Sequence, residues 1–369
     1  MAWTTLEHAA MQRALDSARR GAGRVEPNPM VGAVVATPDG TIVGTGCHER
    51  FGGPHAEVNA LAAAGPAARG GTLFVTLEPC CHHGKTPPCT DAIQAAGIAR
   101  VVVAAADPYQ EVAGRGIALL RAAGVTVDTG LLEGEAARLI APFTKLMTTG
   151  QPWVIAKWAM SLDGHVAAPA SAGDRWISSE ESRRLVHDLR GRCDAILIGI
   201  GTALADDPLL TARPAGPRTP LRIVLDAAAR LPLESQLVRS ARETPLLVAV
   251  GPAALTDRLS KLAAAGCEIW RSDLSDRDAR LQALLQELGN RRLTNLLVEG
   301  GPEVLASFAA LDAIDEVWAF VAPTLLGGDA TPAITGHGQA ALSLARSIEI
   351  EDVSHPGGDL FIRGVVRRR

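Results

Sequence analysis

The chain has 369 residues, with Lys+Arg 36 against Asp+Glu 40, a formal net charge of −4 and a hydrophobic content of 47%. That length suits two domains of ordinary size, each able to bury its own core. The near-neutral balance, without long runs of either sign, argues against nucleic acid or a membrane surface as partner, and the longest apolar runs, such as "VVVAAA" at 101–106, are strand-sized and far short of a bilayer span.

In chain order, residues 4–22 carry apolar positions at helical spacing, with Thr4 or Thr5 to cap the start and Gly21 and Gly23 to stop it. Acid and base are mixed through this stretch with no central apolar block, so no secretory signal is expected and a cytoplasmic protein is. "MVGAVVAT" and "TIVGTGCH", separated by "PDG", predict a hairpin with a tight turn. "HAEVNALAAAG" predicts a helix ending at Gly65 and "GTLFVTLEP" a buried strand. "PPCTDAIQAAG" predicts a helix that begins at a proline pair, and "RVVVAAAD" another buried strand. "GIALLRAAG" and "GVTVDTG" repeat the helix-then-strand pattern, and "EGEAARLIAPFTKLMTTG" reads as one last helix running into Gly150 and Pro152. A boundary follows there, giving expected domains of 1–147 and 148–369.

The second half restarts with the strand "PWVIAKWAMSLDG" and alternates again. "SEESRRLVHDLRGR" predicts a helix, followed by the strands "CDAILIGI", "PLRIVLDA" and "TPLLVAVG", the helix "LTDRLSKLAAAG" and the strand "CEIW". A helix over about 276–289, the strand "TNLLVEGG", the helix "PEVLASFAAL" and the strand "IDEVWAFVAP" complete the series. Strands separated by crossover helices imply mainly parallel, covered sheets, so both domains are expected to be α/β.

The chemistry concentrates in "HAEVNAL" at 55–61 and "EPCCHHGKTPPC" at 78–89. Six cysteines are few for a disulfide scaffold of this length, and three of them fall within ten positions, which suggests a metal. His55, Cys80 and Cys89 lie at or near helix starts that follow strands, and such ends can face one pocket. One imidazole and two thiolates make a three-ligand set for tetrahedral zinc, with a fourth position for water, the open arrangement of catalytic sites. Cys80 is preferred as ligand because it follows the "EP" turn at the strand end; Cys81 is the alternative. Glu57, close by and not a ligand, is the candidate to carry protons from the water to a leaving nitrogen. The pattern matches the zinc-deaminase signature H-x-E … P-C-x-x-C, except that the second cysteine comes nine residues after the first. His82 and His83 find no vacancy in a site with three protein ligands and water, and point to substrate instead. Cys47, Cys193 and Cys267 lie on strand patterns and are expected to be inert buried thiols.

"EPNPMVGAVV", "GTGCHERFGGPHAEVNAL" and "TLEPCCHHGKTPPCTDAI" together resemble the deaminase domain of the bifunctional riboflavin-biosynthesis deaminase/reductase family, and the nine-residue cysteine spacing is that family's own form. "KWAMSLDG", "GDRWIS", "LADDPLLTAR" and "LVEGGPEVLASF" resemble its reductase domain. The resemblance covers nearly the whole chain. It implies an N-terminal cytidine-deaminase-like three-layer domain holding one zinc ion per chain, and a C-terminal dihydrofolate-reductase-like domain using NADPH. It also implies two consecutive steps: hydrolytic removal of the 2-amino group from 2,5-diamino-6-ribosylamino-4(3H)-pyrimidinone 5′-phosphate, then reduction of the ribosyl group to give 5-amino-6-(5-phosphoribitylamino)uracil. The expected partner is that small phosphorylated pyrimidine, and a homo-oligomer is expected.

Individual residues fit these roles. Asn28, held between two prolines, has an amide suited to reading a ring carbonyl or hydroxyl, and His48, His82 and Lys85 flank the zinc ligands as candidates to meet the ribose phosphate. No GxGxxG follows the first strand of the second half; Gly300, Gly301 and Pro302 instead form a strand-to-helix turn able to take a cofactor phosphate. The family match lines NADPH with Gly301, Pro302, Glu303, Val304, Leu305 and Ala306, beside Ala159, Trp176, Thr202 and Asp206. It assigns substrate contacts to Asp174, Arg190, Leu210, Arg213 and Glu299, where the guanidinium groups suit a phosphate because each binds two oxygens. Arg190 also reads as one of several surface charges on its helix. Lys157 and Glu299, each at the end of a predicted strand, are the polar residues best placed to handle a proton near the sugar. A nucleic-acid-editing deaminase is disfavoured by the absence of a basic surface and of the short cysteine spacing, and a zinc-stabilised binding protein by the presence of Glu57.

Overall fold

The computed structural model describes residues 3–82, 87–108, 113–167, 176–336, 338 and 341–367. It divides into two compact units, Met1–Gly150 and Gln151–Arg369; the sequence pattern put the division at 147/148. Among the described residues no helix is long and apolar enough to cross a membrane.

The first unit runs α1 (Thr5–Ala18), β1 (Gly32–Ala36), β2 (Ile42–Cys47), α2 (Ala56–Ala64), β3 (Thr72–Leu77), α3 (Cys89–Ala95), β4 (Arg100–Ala105), α4 (Arg115–Ala122), β5 (Thr126–Thr129), α5 (Glu133–Leu139) and α6 (Ala141–Thr149). Its sheet has the order β2-β1-β3-β4-β5, with β1 antiparallel to both neighbours and β3, β4 and β5 parallel. Alternate strand residues face opposite ways. Ala33, Val35, Leu73, Val75, Val101 and Val103 pack with Ala60 of α2, Ile93 of α3 and Leu120 of α4, while Val34, Phe74, Val102 and Ala104 pack with Met11 and Leu15 of α1 and Ala136 of α5. Three layers result. The start of α1 is fixed by a capping box, in which the Thr4 hydroxyl accepts from the Glu7 N–H at 3.2 Å and the Glu7 carboxylate accepts from the Thr4 N–H at 2.8 Å. The single helix expected over 133–149 is two helices broken at Ile140, because Pro142 has no N–H to continue the ladder.

The second unit runs β6 (Trp153–Ser161), β7 (His165–Ala167), α7 (Glu180–Arg190), β8 (Ala195–Gly199), α8 (Ile200–Asp206), β9 (Leu221–Leu225), α9 (Gln236–Arg239), β10 (Leu246–Val250), α10 (Thr256–Ala264), β11 (Glu268–Arg271) and α11 (Arg277–Asn290). β12 (Asn295–Val298), α12 (Pro302–Ala310), β13 (Glu316–Ala322), β14 (Thr331–Pro332), β15 (Ile348–Ser354) and β16 (Leu360–Val366) follow. The main sheet has the order β11-β10-β9-β8-β12-β6-β13-β16-β15. Its first seven strands are parallel, and β16 and β15 extend it antiparallel. Ile196 and Ile198 point to one face with Val186 of α7, Leu237 of α9 and Leu262 of α10; Ala195 and Leu197 point to the other with Leu284 of α11 and Phe308 of α12. The short α8 and α9 and the C-terminal strands β15 and β16 have no counterpart in the sequence reading.

Candidate active sites

In the first unit the donor atoms of His55, Cys80 and Cys89 all lie within 4.8 Å of one another, the one such group of His, Cys, Asp and Glu among the described residues. His55 is the N-cap of α2 and Cys89 the first residue of α3, so two helix starts meet at this point. His55 Nδ1 lies 3.5 Å from Cys80 Sγ and 3.3 Å from Cys89 Sγ. Tetrahedral zinc with ordinary Zn–N and Zn–S bonds sets its nitrogen and sulfur ligands about 3.6 Å apart, so the three side chains fit the ion. The main chain adds to the match: the Cys89 N–H donates to Cys80 Sγ at 3.4 Å and the Thr90 N–H to the Cys80 carbonyl at 3.3 Å. Cys80 Sγ also accepts from the Cys89 thiol. Its hydrogen bond from Cys89, helped by His55, pulls the Cys80 thiol down to about 4, and the same bond together with burial pushes Cys89 up.

Why α2 starts here is written in β2. A Cβ on Gly46 would meet the Ala60 nitrogen at 2.3 Å and the Ala56 carbonyl oxygen at 2.6 Å, and one on Gly44 would meet the Ala60 oxygen at 2.2 Å. The helix therefore lies directly on the strand backbone and carries His55 and Glu57 to the sheet's edge. Glu57 is 3% exposed. Burial, reinforced by the Cys80 charge, raises its carboxyl to about 7, close to the working range of a proton carrier. Asn28 and His48 adjoin the donor group through His55. His48 Nδ1 lies 3.0 Å from the Pro54 carbonyl, so it carries the hydrogen, and Nε2 at 3.2 Å accepts from the Asn28 amide. Its ring meets His55 edge-on at 5.4 Å, and burial holds its pKa below the ordinary range.

Cys81 is outside the donor group and half-buried, and burial raises its thiol. His82 is exposed, while His83 and Lys85 lie outside the described residues. Cys47, Cys193 and Cys267 are buried free thiols, as expected. Glu78 has a role that no motif marks. Glu78, 3% exposed, accepts from the N–H groups of Asp107, Gly114, Gly116 and Ile117 at 3.4, 2.9, 3.0 and 3.2 Å, fastening the approach to α4 beside Pro79 and Cys80. Its only sequence signal is the acid preceding "PC".

In the second unit Arg190, at the end of α7, grips Glu299, just past β12, with both prongs: Nε to Oε1 at 2.6 Å and Nη2 to Oε2 at 2.8 Å. The side chains are 15% and 8% exposed. Burial pushes the Glu299 carboxyl up, but Arg190 and Lys157 outweigh it and hold it below the ordinary value. Lys157, in turn, is pulled down by burial against the opposing pull of Glu299. Lys157 does not end its strand. It sits mid-way along the nine-residue β6, yet the pairing of Ala156 with Val298 sets it level with Glu299, where the shorter β12 stops. Its ammonium also lies 5.8 Å from the Phe320 ring centroid. The Arg190 fork expected for phosphate is thus engaged by Glu299, with Nη1 turned to the Thr211 carbonyl at 3.4 Å. His187, one helical turn before Arg190, is likewise marked by no motif; burial and then Arg190 and Arg213 keep it below the ordinary value.

Two of the expected cofactor residues adjoin directly. Gly301 caps α12, and a Cβ on it would stand 3.2 Å from Thr202 Oγ1. Val304 and Leu305 are buried, at 6% and 1%. Ala159 and Ala306 are half-buried, and Asp206, Glu303 and Arg213 exposed. Trp176 is 65% exposed, with the Arg183 guanidinium 5.2 Å from its ring centroid. Leu210 is buried with a left-handed φ of 54°. Asp174 lies outside the described residues.

Residues 4–105 match the model of the cytidine and deoxycytidylate deaminase zinc-binding region, and residues 152–355 that of the RibD C-terminal domain. The chain is 39% identical to the riboflavin biosynthesis protein RibD of Aquifex aeolicus over 353 residues, 95% of this chain and 96% of that protein. Its structure is similar to that of RibD from Acinetobacter baumannii, with a TM-score of 0.86, 35% identity and coverage of 98% and 99% of the two chains. It is similar too to the diaminohydroxyphosphoribosylaminopyrimidine deaminase/5-amino-6-(5-phosphoribosylamino)uracil reductase of Thermotoga maritima, with a TM-score of 0.84, 34% identity and coverage of 98% and 99%.

Proposed function

Because the chain belongs to the riboflavin-biosynthesis deaminase/reductase family, and so is a bifunctional enzyme with a zinc-binding deaminase domain and an NADPH-using reductase domain, we propose how its residues divide the work. Residues 1–147 deaminate 2,5-diamino-6-ribosylamino-4(3H)-pyrimidinone 5′-phosphate, and residues 148–369 reduce the ribosyl group of the product. The observation that carries this reading is the His55–Cys80–Cys89 donor group with the buried Glu57 beside it.

His55, Cys80 and Cys89 hold the zinc, which when bound supplies the Lewis acidity that makes water nucleophilic near neutral pH. Glu57 takes a proton from the attacking water and returns one to the departing amine. Its burial supports this, because loss of water raises a carboxyl above its ordinary value and so toward the working range of a proton carrier. Asn28 gives one N–H to His48, which leaves its carbonyl oxygen and second N–H to read the pyrimidine ring. His82 and Lys85 remain the candidates for the ribose phosphate in this pocket, with His48 as the group that orients Asn28.

In the reductase domain NADPH supplies the hydride, and the chain supplies binding, orientation and a proton. The start of α12 takes a cofactor phosphate. Pro302 has no N–H, and those of Val304 and Leu305 already bond to the Gly301 carbonyl, so donation there falls to Gly301 and Glu303. Thr202, Asp206, Ala159 and Trp176 flank the cofactor. Lys157 and Glu299 move the proton at the sugar, with Arg190 holding Glu299 charged and aimed; Arg213, Leu210 and Asp174 meet the phosphorylated substrate. Use of NADPH and a phosphorylated intermediate supports a cytoplasmic location. The exposed Ile348, Ile350 and Val353 along the edge strand β15 support a homo-oligomer.

The test is to incubate the purified chain with the diamino pyrimidinone phosphate, with and without NADPH, and to identify products by mass. The reading expects deaminated, unreduced product without NADPH and the ribityl product with it. Reduction preceding deamination, or no deamination without NADPH, would overturn it.

A further inference from the structure

Arg222 is the largest side chain that β9 buries, with 0% exposure, and among the described residues none of its hydrogen bonds goes to a carboxylate. Burying a guanidinium without a counter-ion is costly unless its donors are satisfied. Here they are spent on neutral oxygens: the Ser240 hydroxyl at 2.7 Å and the carbonyls of Leu209 at 3.2 Å, Leu237 at 3.3 Å, Pro245 at 3.5 Å and Thr244. Burial lowers its pKa only to about 10, so the group remains a cation at neutral pH.

The acceptors share a pattern. Leu237 and Ser240 belong to or close α9, and Leu209 belongs to the arm that runs from the end of α8 to Arg213. That arm holds two non-glycine residues in the left-handed region, Asp207 at φ 39° and Leu210 at φ 54°. Such residues cost energy and persist only where their surroundings over-determine them. Each is pinned at or next to itself, one by α9 and the other by β9. Asp207 Oδ1 accepts from the Gln236 N–H at 2.8 Å and its carbonyl from Gln236 Nε2 at 2.5 Å, while Leu210 is preceded by the carbonyl that Arg222 holds. Just beyond, the Thr211 carbonyl faces Arg190 Nη1 at 3.4 Å. The arm is therefore clamped at both ends of its strained stretch and leads straight into the Arg190–Glu299 pair.

We propose that Arg222 is a positioning residue for the reductase reaction: through the Leu209 carbonyl, and together with Gln236, it sets the arm that presents Leu210 and Arg213 to the phosphorylated pyrimidine. The inference rests on the substrate reading of that arm. A side chain serving only as core filler would not need a charge, and a neutral residue could not supply this many donors from one point.

The experiment uses the full chain, wild type and the variants Arg222→Met, Arg222→Lys and Gln236→Ala, and measures the reductase KM for the deaminated intermediate, the KM for NADPH, kcat and the deamination rate. Arg222→Met should raise the KM for the pyrimidine by on the order of tenfold or more, the effect of losing hydrogen bonds from a charged donor. KM for NADPH and deamination should stay at wild-type values, and Arg222→Lys should fall between. If Arg222→Met does not fold, Gln236→Ala decides, because Gln236 is exposed and its loss spares the core; it should raise the same KM alone. An unchanged pyrimidine KM in the folded variants, or equal losses for both ligands, would overturn the proposal. Wild type failing to reduce the intermediate would instead sink the functional reading on which it rests.

Discussion

At the metal cluster the chain brings together donors at most 34 residues apart, His55 and Cys89 at helix starts and Cys80 in the turn that follows β3 of the same small sheet. At the reductase cluster Arg190 and Glu299 meet across 109 residues, from a helix end and the tip of a short strand, and Lys157 joins them only through strand register. The first site is built from local motifs, with the ligands' directions set by backbone geometry. The second depends on a long-range ion pair, each member of which needs the other to be buried at all. Different injuries should therefore disable them.

The largest effects are expected at the metal cluster. Cys80→Ser should lose zinc, measured by metal analysis, and deamination with it, whereas Cys81→Ser should keep both; the reverse would exchange the two cysteines' roles. Glu57→Gln should retain zinc while deamination falls by at least about a hundredfold, the usual contribution of general acid–base catalysis. Near-normal turnover in that variant would remove Glu57 from the mechanism. At the second cluster Glu299→Ala leaves Arg190 buried without its anion and should cost the C-terminal domain about 3–5 kcal/mol, read from denaturant unfolding, along with reduction. Zinc content should not change. A smaller effect is expected from Gly46→Ala, whose methyl would strike the α2 backbone; overpacking of this kind costs about 1–3 kcal/mol, and the shift of His55 should weaken zinc retention against a chelator. Thr4→Ala removes a helix cap whose partners, Glu7 and His8, have no part in either chemistry, and should cost only about 1 kcal/mol with both activities intact.

The same contrast explains what was legible in the sequence. His55, Glu57, Cys80 and Cys89 could be read directly because their spacing places them on successive strand-to-helix turns, which periodicity reveals. The Arg190–Glu299 pair could not, since no local pattern encodes a contact made by folding; the fork expected for phosphate turned out to grip a carboxylate. Helix α8 leaves no mark in the sequence because it begins at Ile200, directly after β8 ends at Gly199, with no linker to mark the change of period. β15 and β16 are unmarked because they lie at the sheet's antiparallel edge, where "IEIEDVS" mixes charge with exposed isoleucines instead of showing a buried apolar run. The break at Ile140 was signalled by Pro142, but the apolar spacing on either side of it masked the signal. Arg222 gave no hint at all, because an arginine within a strand pattern ordinarily reads as solvent-facing.

The central claim, two chemically separate sites in one chain, is tested most directly by removing the metal. The full-length protein stripped of zinc by a chelator should lose deamination, yet reduce the separately supplied deaminated intermediate with NADPH at the rate of the untreated enzyme, and restored zinc should recover deamination alone. A fall in reduction that follows zinc loss, in protein shown to remain folded, would contradict the account.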